Sequence, residues 1–205
     1  RFPDCYEIPS TATPNLRIAP VSSDNPSSRL GDVIHSSPQL VASPAEAYHT
    51  IFRDASYGEF YQRHISRRHM IYFGANDGML HAVNGGYYDA ENEKFWEHLE
   101  INSGTGQRCY YDSDGTRSVG CGALTDTNIG DASNISPLGT EFWAYVPYNA
   151  QPHLKCTSDP DYGANHKYFV DKEVRLFDVQ IFEEESVCRT DDIYNKDCIH
   201  PNGWG

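Results

Sequence analysis

Apolar residues are densest between Met70 and Val83. There Met-Ile-Tyr-Phe runs into Gly-Ala-Asn-Asp-Gly and then into Met-Leu-His-Ala-Val. Ile71–Phe73 are β-branched or aromatic and suit a pleated, half-buried surface. Asn76-Asp77-Gly78 is turn chemistry, since Asp-Gly accepts the positive φ of a tight hairpin. Met79–Val83 is the return strand, and Gly74 lets the backbone approach a neighbour closely. A second aromatic run, Phe142–Val146, lies inside Gly139-Thr-Glu-Phe-Trp-Ala-Tyr-Val-Pro147 and predicts another strand. Weaker alternation predicts strands over Leu30–Val41, Lys167–Val170 and Val174–Phe182.

Between Pro44 and His69 the period changes. Tyr48, Ile51, Phe52, Ala55, Phe60 and Tyr61 recur near helical spacing, and Ser43-Pro44 supplies a cap and a first-turn proline. This predicts a short helix over Ala45–Arg53 and another over Tyr57–Ser66. Residues 1–29, rich in Pro, Ser, Thr and Asn, read as an irregular lead-in. Residues 85–138 read as an insertion. Gly85-Gly86 is expected to break the chain, and Glu91–Leu99 fits either a helical turn or a further strand with Phe95-Trp96 inward.

The order of strand, Asn-Asp-Gly turn, strand ending in Asn, insertion and Gly-x-Glu-x-Trp strand is the grammar of a β-propeller blade. The expected fold is mainly β: part of a β-propeller over residues 30–205, about two blades, with disulfide-stapled loop insertions and a short helical segment. Phe73-Gly-Ala-Asn-Asp-Gly-Met-Leu-His-Ala82 with Glu141-Phe-Trp-Ala-Tyr-Val-Pro147 resembles the C-terminal propeller of the PilC/PilY family, the tip-associated adhesins of bacterial type IV pili. Leu30-Gly-Asp-Val-Ile-His-Ser-Ser-Pro38 looks like that family's entry strand, His166-Lys-Tyr-Phe-Val-Asp171 like the start of the next blade, and His200-Pro-Asn-Gly-Trp-Gly205 like the lead-in to a further strand. The resemblance implies an exported protein at the pilus tip. It also implies roles in pilus assembly and attachment, with minor pilins, the remainder of its own propeller and a surface or host receptor as partners.

The chain has 205 residues, no initiating methionine and no signal-peptide pattern, and it stops where the resemblance implies a strand. It reads as an internal piece of a larger protein. No apolar run approaches the roughly 20 residues that span a bilayer. A net charge of −13 argues against nucleic acid, whose phosphates attract basic surfaces, and fits a soluble exported protein. Six cysteines without a Cys-x-x-Cys fit an oxidising compartment. Cys109 and Cys121 bracket one polar loop and Cys188 and Cys198 another, leaving Cys5 with Cys156. Six cysteines allow 15 connectivities, so this pairing is a preference.

Candidate chemistry is sparse. Asp32 and His35 invite a catalytic reading, but a lone Asp and His on a strand are more often structural. Arg63-His-Ile-Ser-Arg-Arg-His69 is the basic cluster, read as a solvated turn before a grip on an acidic partner. Tyr110 and Tyr111 mark the stapled insertion as a recognition loop, because tyrosine offers contact area at low entropic cost. Asp112 and Asp114, and Asp126, Asn128 and Asp131, look like fragments of calcium loops. Calcium is a candidate because the family is associated with an Asp-x-Asn-x-Asp loop, but neither fragment has the usual closing glutamate. No other cofactor is expected. A quinoprotein-like periplasmic dehydrogenase fragment is the alternative, and a structural cap of another extracellular filament the third reading. The former lacks support: no adjacent cysteines, phosphate loop or His-Glu-x-x-His motif occur.

Overall fold

The computed structural model describes residues 31–102, 105–126, 129–154, 168–183, 188 and 198–205. Strands β1 (Gln39–Val41), β2 (His69–Gly74), β3 (Leu80–Asp89) and β4 (Lys94–Trp96) lie in that order in one sheet, and β7 (Glu141–Tyr145) also pairs with β3. Strands β5 (His98–Ile101) and β6 (Arg108–Tyr111) form a second, antiparallel ladder with Leu99 opposite Tyr110. Helices α1 (Tyr48–Ile51) and α2 (Ala55–His64) precede β2. The fold is mainly β with two helices, as the periodicities predict.

By internal contacts the chain divides into two units. Of the described residues, the first unit takes 31–38, 72–81, 143–154 and 168–174, and the second takes the others. Within the first, the Asn76-Asp77-Gly78 turn closes as expected: the Ala75 amide donates to the Met79 carbonyl at 3.0 Å and the Gly78 amide to the Ala75 carbonyl at 3.2 Å. Gly74 is a point of close approach, since a Cβ there would lie 1.8 Å from the Val170 carbonyl oxygen.

In the second unit, α1 starts at Tyr48 with Ala47 as its N-cap, later than the expected Ser43-Pro44 start, and Asp54 caps α2 by accepting the Tyr57 amide at 3.1 Å. Tyr57 and Phe60, at i and i+3, turn inward and pack with Trp204 to form the core, flanked by Tyr48 and Tyr61. The Tyr57 and Trp204 rings meet edge to face at 5.0 Å, and the Trp204 indole donates to Ser56 Oγ at 2.9 Å. Trp204 is therefore a core residue. The core's polar edge is Asp178, whose carboxylate accepts the Tyr57 hydroxyl at 2.6 Å and the Ala45 amide at 3.3 Å and pairs with Arg67 at 3.6 Å. Burial and the Asp178 charge both push the Tyr57 hydroxyl's pKa well up.

Three expectations change and one open alternative is decided. Of the strand expected over Leu30–Val41, the described residues form a strand at Gln39–Val41, and Leu30 lies outside the described residues. Tyr168–Val170 and Val174–Phe182 are irregular; the latter makes a single bridge, Gln180 to Trp204. Gly85-Gly86 does not break the chain: β3 runs through it, because the Trp96 carbonyl and Leu138 press against Gly86, where a Cβ would meet each at 2.4 Å. Glu91–Leu99 takes the strand of its two alternatives: Asp89 accepts the Glu91 and Asn92 amides, and β4 returns with Trp96 inward as expected and Phe95 exposed.

Replacing Tyr57 with Phe keeps the ring packing and removes the 2.6 Å bond to a partly buried carboxylate. We expect a loss of about 1–3 kcal/mol in urea unfolding; an unchanged midpoint would mean the aromatic contacts alone hold this core.

Candidate functional site

The most organised polar arrangement in the first unit centres on Asp171, which in sequence only closes the His166–Asp171 stretch that resembles the start of a blade. Its side chain is 1% exposed. Oδ1 accepts three successive backbone amides, from Ile34 at 3.1 Å, His35 at 2.9 Å and Ser36 at 3.1 Å. Consecutive amides converging on one point form an anion nest, and this nest is filled by the chain's own carboxylate. Oδ2 takes His35 Nδ1 at 2.8 Å and Asn76 Nδ2 at 3.2 Å. Burial alone would raise the Asp171 pKa, but the donors outweigh it and hold the group down at about 2.

The turn predicted from sequence is tied into the same network. Asn76 Nδ2 also donates to Asp32 at 3.1 Å, and its Oδ1 accepts the Phe169 amide at 3.3 Å. Asp77 accepts the Gly31 and Met79 amides and meets His81 Nε2 at 3.0 Å. Asp32 and His35, the pair that invites catalysis, thus sit 3.1 Å and 2.8 Å from partners that order the loop. The three amides best placed to stabilise an oxyanion are all engaged by Asp171, and Ser36 Oγ accepts the Gly74 amide at 2.9 Å. The arrangement orients chain segments against one another.

The second unit carries the stapled insertion. Disulfides Cys109–Cys121 and Cys188–Cys198 are formed as expected; Cys5 and Cys156 lie outside the described residues. Tyr110 and Tyr111 are 7% and 4% exposed, contrary to their reading as contact surface. Alternation along β6 turns Tyr110 onto Trp96, with ring centroids 6.1 Å apart, and Tyr111 towards Glu100, to which its hydroxyl donates at 3.2 Å. Glu100 is a hub missed from sequence: it also accepts the Thr125 amide at 2.7 Å, the Thr125 hydroxyl at 3.1 Å and the Asp126 amide at 2.5 Å. Beside it, buried His98 points Nε2 at Asp126 across 3.9 Å, and neither ring nitrogen has a hydrogen-bond partner.

Three of the aspartates read as calcium fragments have partners of their own. Asp112 pairs with Lys94 at 2.8 Å, Asp114 accepts the Thr116 amide and Asp131 the Ser133 amide, each closing its own turn. Asn128 lies outside the described residues. Among the described residues no three His, Cys, Asp or Glu side chains converge as metal ligands.

The basic cluster is built into the fold. Arg63 donates to the Cys198 carbonyl at 3.1 Å, Arg67 to the Ala42 carbonyl, and the Arg68 guanidinium lies between the Tyr87 and Phe142 rings at 5.0 and 5.1 Å. His64 donates to the Ile199 carbonyl at 3.1 Å; burial, with smaller contributions from Arg67 and Arg63, lowers it to about 4.

The structure leaves aromatics outward on β7 and beyond. Trp143, Tyr145 and Tyr148 are 45%, 56% and 85% exposed. Trp143 touches Tyr72 at a centroid distance of 5.6 Å.

No family model matches the chain, and no solved structure matches it. A curated protein does: the type IV pilus biogenesis factor PilY1 homolog of Xylella fastidiosa (strain Temecula1 / ATCC 700964) is 28% identical over 153 residues, 73% of this chain. Over those residues the chain is similar to that PilY1 homolog. The matched residues amount to 8% of that relative's length. No helix among the described residues is long and apolar enough to cross a membrane.

Two pH responses follow. Asp171 has a folded pKa below the ordinary aspartate value of 3.8, so its stabilisation is complete above that pH and lost as pH falls towards 2. Asp171→Asn should cost about 2–3 kcal/mol at neutral pH and flatten the acid limb of the unfolding curve below pH 4. His64 is likewise depressed, from 6.5 to about 4. The unfolded chain then holds the proton more tightly, and stability falls as pH drops through that window. We expect the His64 ring to titrate near 4 by NMR, and His64→Gln to remove about 1 kcal/mol of pH dependence after allowance for solvent access.

Proposed function

We propose that this chain is part of the β-propeller of a type IV pilus tip-associated protein and acts as a binding and assembly module rather than an enzyme. The observation that carries the reading is the 28% identity over 73% of the chain to a protein named as a type IV pilus biogenesis factor. The β2–β3 hairpin, the β7 strand beside β3 and the stapled insertion are consistent with a blade bearing an inserted loop. Two disulfides suit export through the periplasm to the cell surface.

The exposed aromatic strand is the part of this module we assign to contact. Trp143 and Tyr145 would pack against a minor pilin or the remainder of the propeller, and attachment to a surface or host receptor would follow from that assembly. Large aromatics of this kind dominate interface energetics when they become buried.

The test introduces Trp143→Ser and Tyr145→Ser together into the chromosomal gene of a piliated bacterium carrying this chain. We expect protein of normal abundance with surface pili and attachment reduced at least about tenfold, as loss of an interface anchor pair implies. Normal piliation and attachment at normal abundance would overturn the reading. A dye-linked alcohol dehydrogenase assay with added quinone should show no turnover, and turnover would favour a dehydrogenase instead.

A further inference from the structure

An imidazole that is buried with both nitrogens unpaired stands in an unusual position, because buried polar groups are ordinarily hydrogen-bonded. The His98 side chain is 9% exposed, and Nδ1 and Nε2 both lack partners. Its surroundings are specific. Tyr87 from β3 presents its ring edge to face at 6.4 Å, and Tyr111 from β6 packs at 6.2 Å. Glu100 lies two residues along the same strand, and Asp126 faces Nε2 from the loop at 3.9 Å. Arg68 acts in the opposite sense, its charge opposing a proton on the ring.

The loop that brings Asp126 is already held by its backbone. Glu100 accepts the amides of both Thr125 and Asp126, so Asp126 is anchored at its main chain while its carboxylate stands about 1 Å short of a charge-assisted bond with His98. We propose that His98 is a proton-operated latch on the Thr125–Asp126 turn. Neutral, the ring fills an aromatic niche without a partner. Protonated, Nε2 donates to Asp126 and the turn closes on β5. Proton uptake makes the bond and proton release undoes it; no other species is consumed. The latch would make the presentation of the stapled insertion depend on acidity, whatever partner that insertion meets.

Burial disfavours the charged ring, while Asp126 and then Glu100 favour it. Closure is therefore expected on the acid side of an ordinary histidine. The experiment follows the His98 ring and the Thr125 and Asp126 amides by NMR across pH 4–8 in the intact chain. The expected result is one common midpoint for all three signals. Asp126→Asn should weaken proton binding at His98 by about tenfold, the effect of removing one near carboxylate. His98→Phe should leave the two amides independent of pH. Amides that ignore the His98 titration, or an unchanged midpoint in Asp126→Asn, would overturn the latch. If His98→Phe does not fold, the Asp126→Asn comparison decides alone.

Discussion

A carboxylate taken out of water must be met by donors, and this structure is organised by that requirement. Asp171 is 1% exposed and collects three consecutive amides, one imidazole and one carboxamide. Removing any of these would leave a buried charge underpaired, at a cost of several kcal/mol. The segment around residues 34–36 and the turn at residue 76 are therefore specified by one side chain more than 90 residues away in sequence. The second unit repeats the device twice. Asp178 gathers a hydroxyl, an amide and a guanidinium at the edge of the aromatic core, and Glu100 gathers two amides and two hydroxyls at the insertion.

This device compensates for what the composition lacks. Long regular elements are few, and the described core of the second unit is three aromatic residues with two aromatic neighbours. Irregular backbone has no ladder partner for its amides, so acidic side chains supply acceptors where strands would. The net charge of −13 accordingly has two origins: some acids solvate the surface, and others hold the chain together from inside.

Local features were legible in sequence because their causes are local. The β2–β3 hairpin follows from alternation closed by Asn-Asp-Gly, and the helical spacing of Tyr57, Phe60 and Tyr61 follows from one apolar face. Both described disulfides follow from the short loops they bracket. Extended stretches with little pairing were over-read: Val174–Phe182 alternates like a strand, yet backbone bonds run from Val179 to the Gly205 amide and carbonyl and from Ile181 and Phe182 to the Gly203 carbonyl. Tyr110 and Tyr111 misled for a related reason. A polar loop between cysteines suggests exposure, but pairing of β5 with β6 turns both rings inward. Asp171, Asp178 and Glu100 gave no signal, since an isolated acid in a polar chain looks like solvated surface until the distant amides it collects are known.

That distinction bears on which residues are available to a partner. Arg63, Arg67 and Arg68 hold carbonyls or lie between rings, so the positive charge that could have gripped an acidic partner is engaged internally. Asp32, His35 and the turn at residues 76–78 are likewise committed to one another's order. Trp143, Tyr145 and Tyr148 stand apart: they are large and apolar, and they remain substantially in water. Burying two such rings at about 25 cal/mol per Å2 would contribute several kcal/mol, enough to decide an association. Charges engaged in folding and aromatics left outward on β7 together give the proposed contact with another protein surface its chemistry.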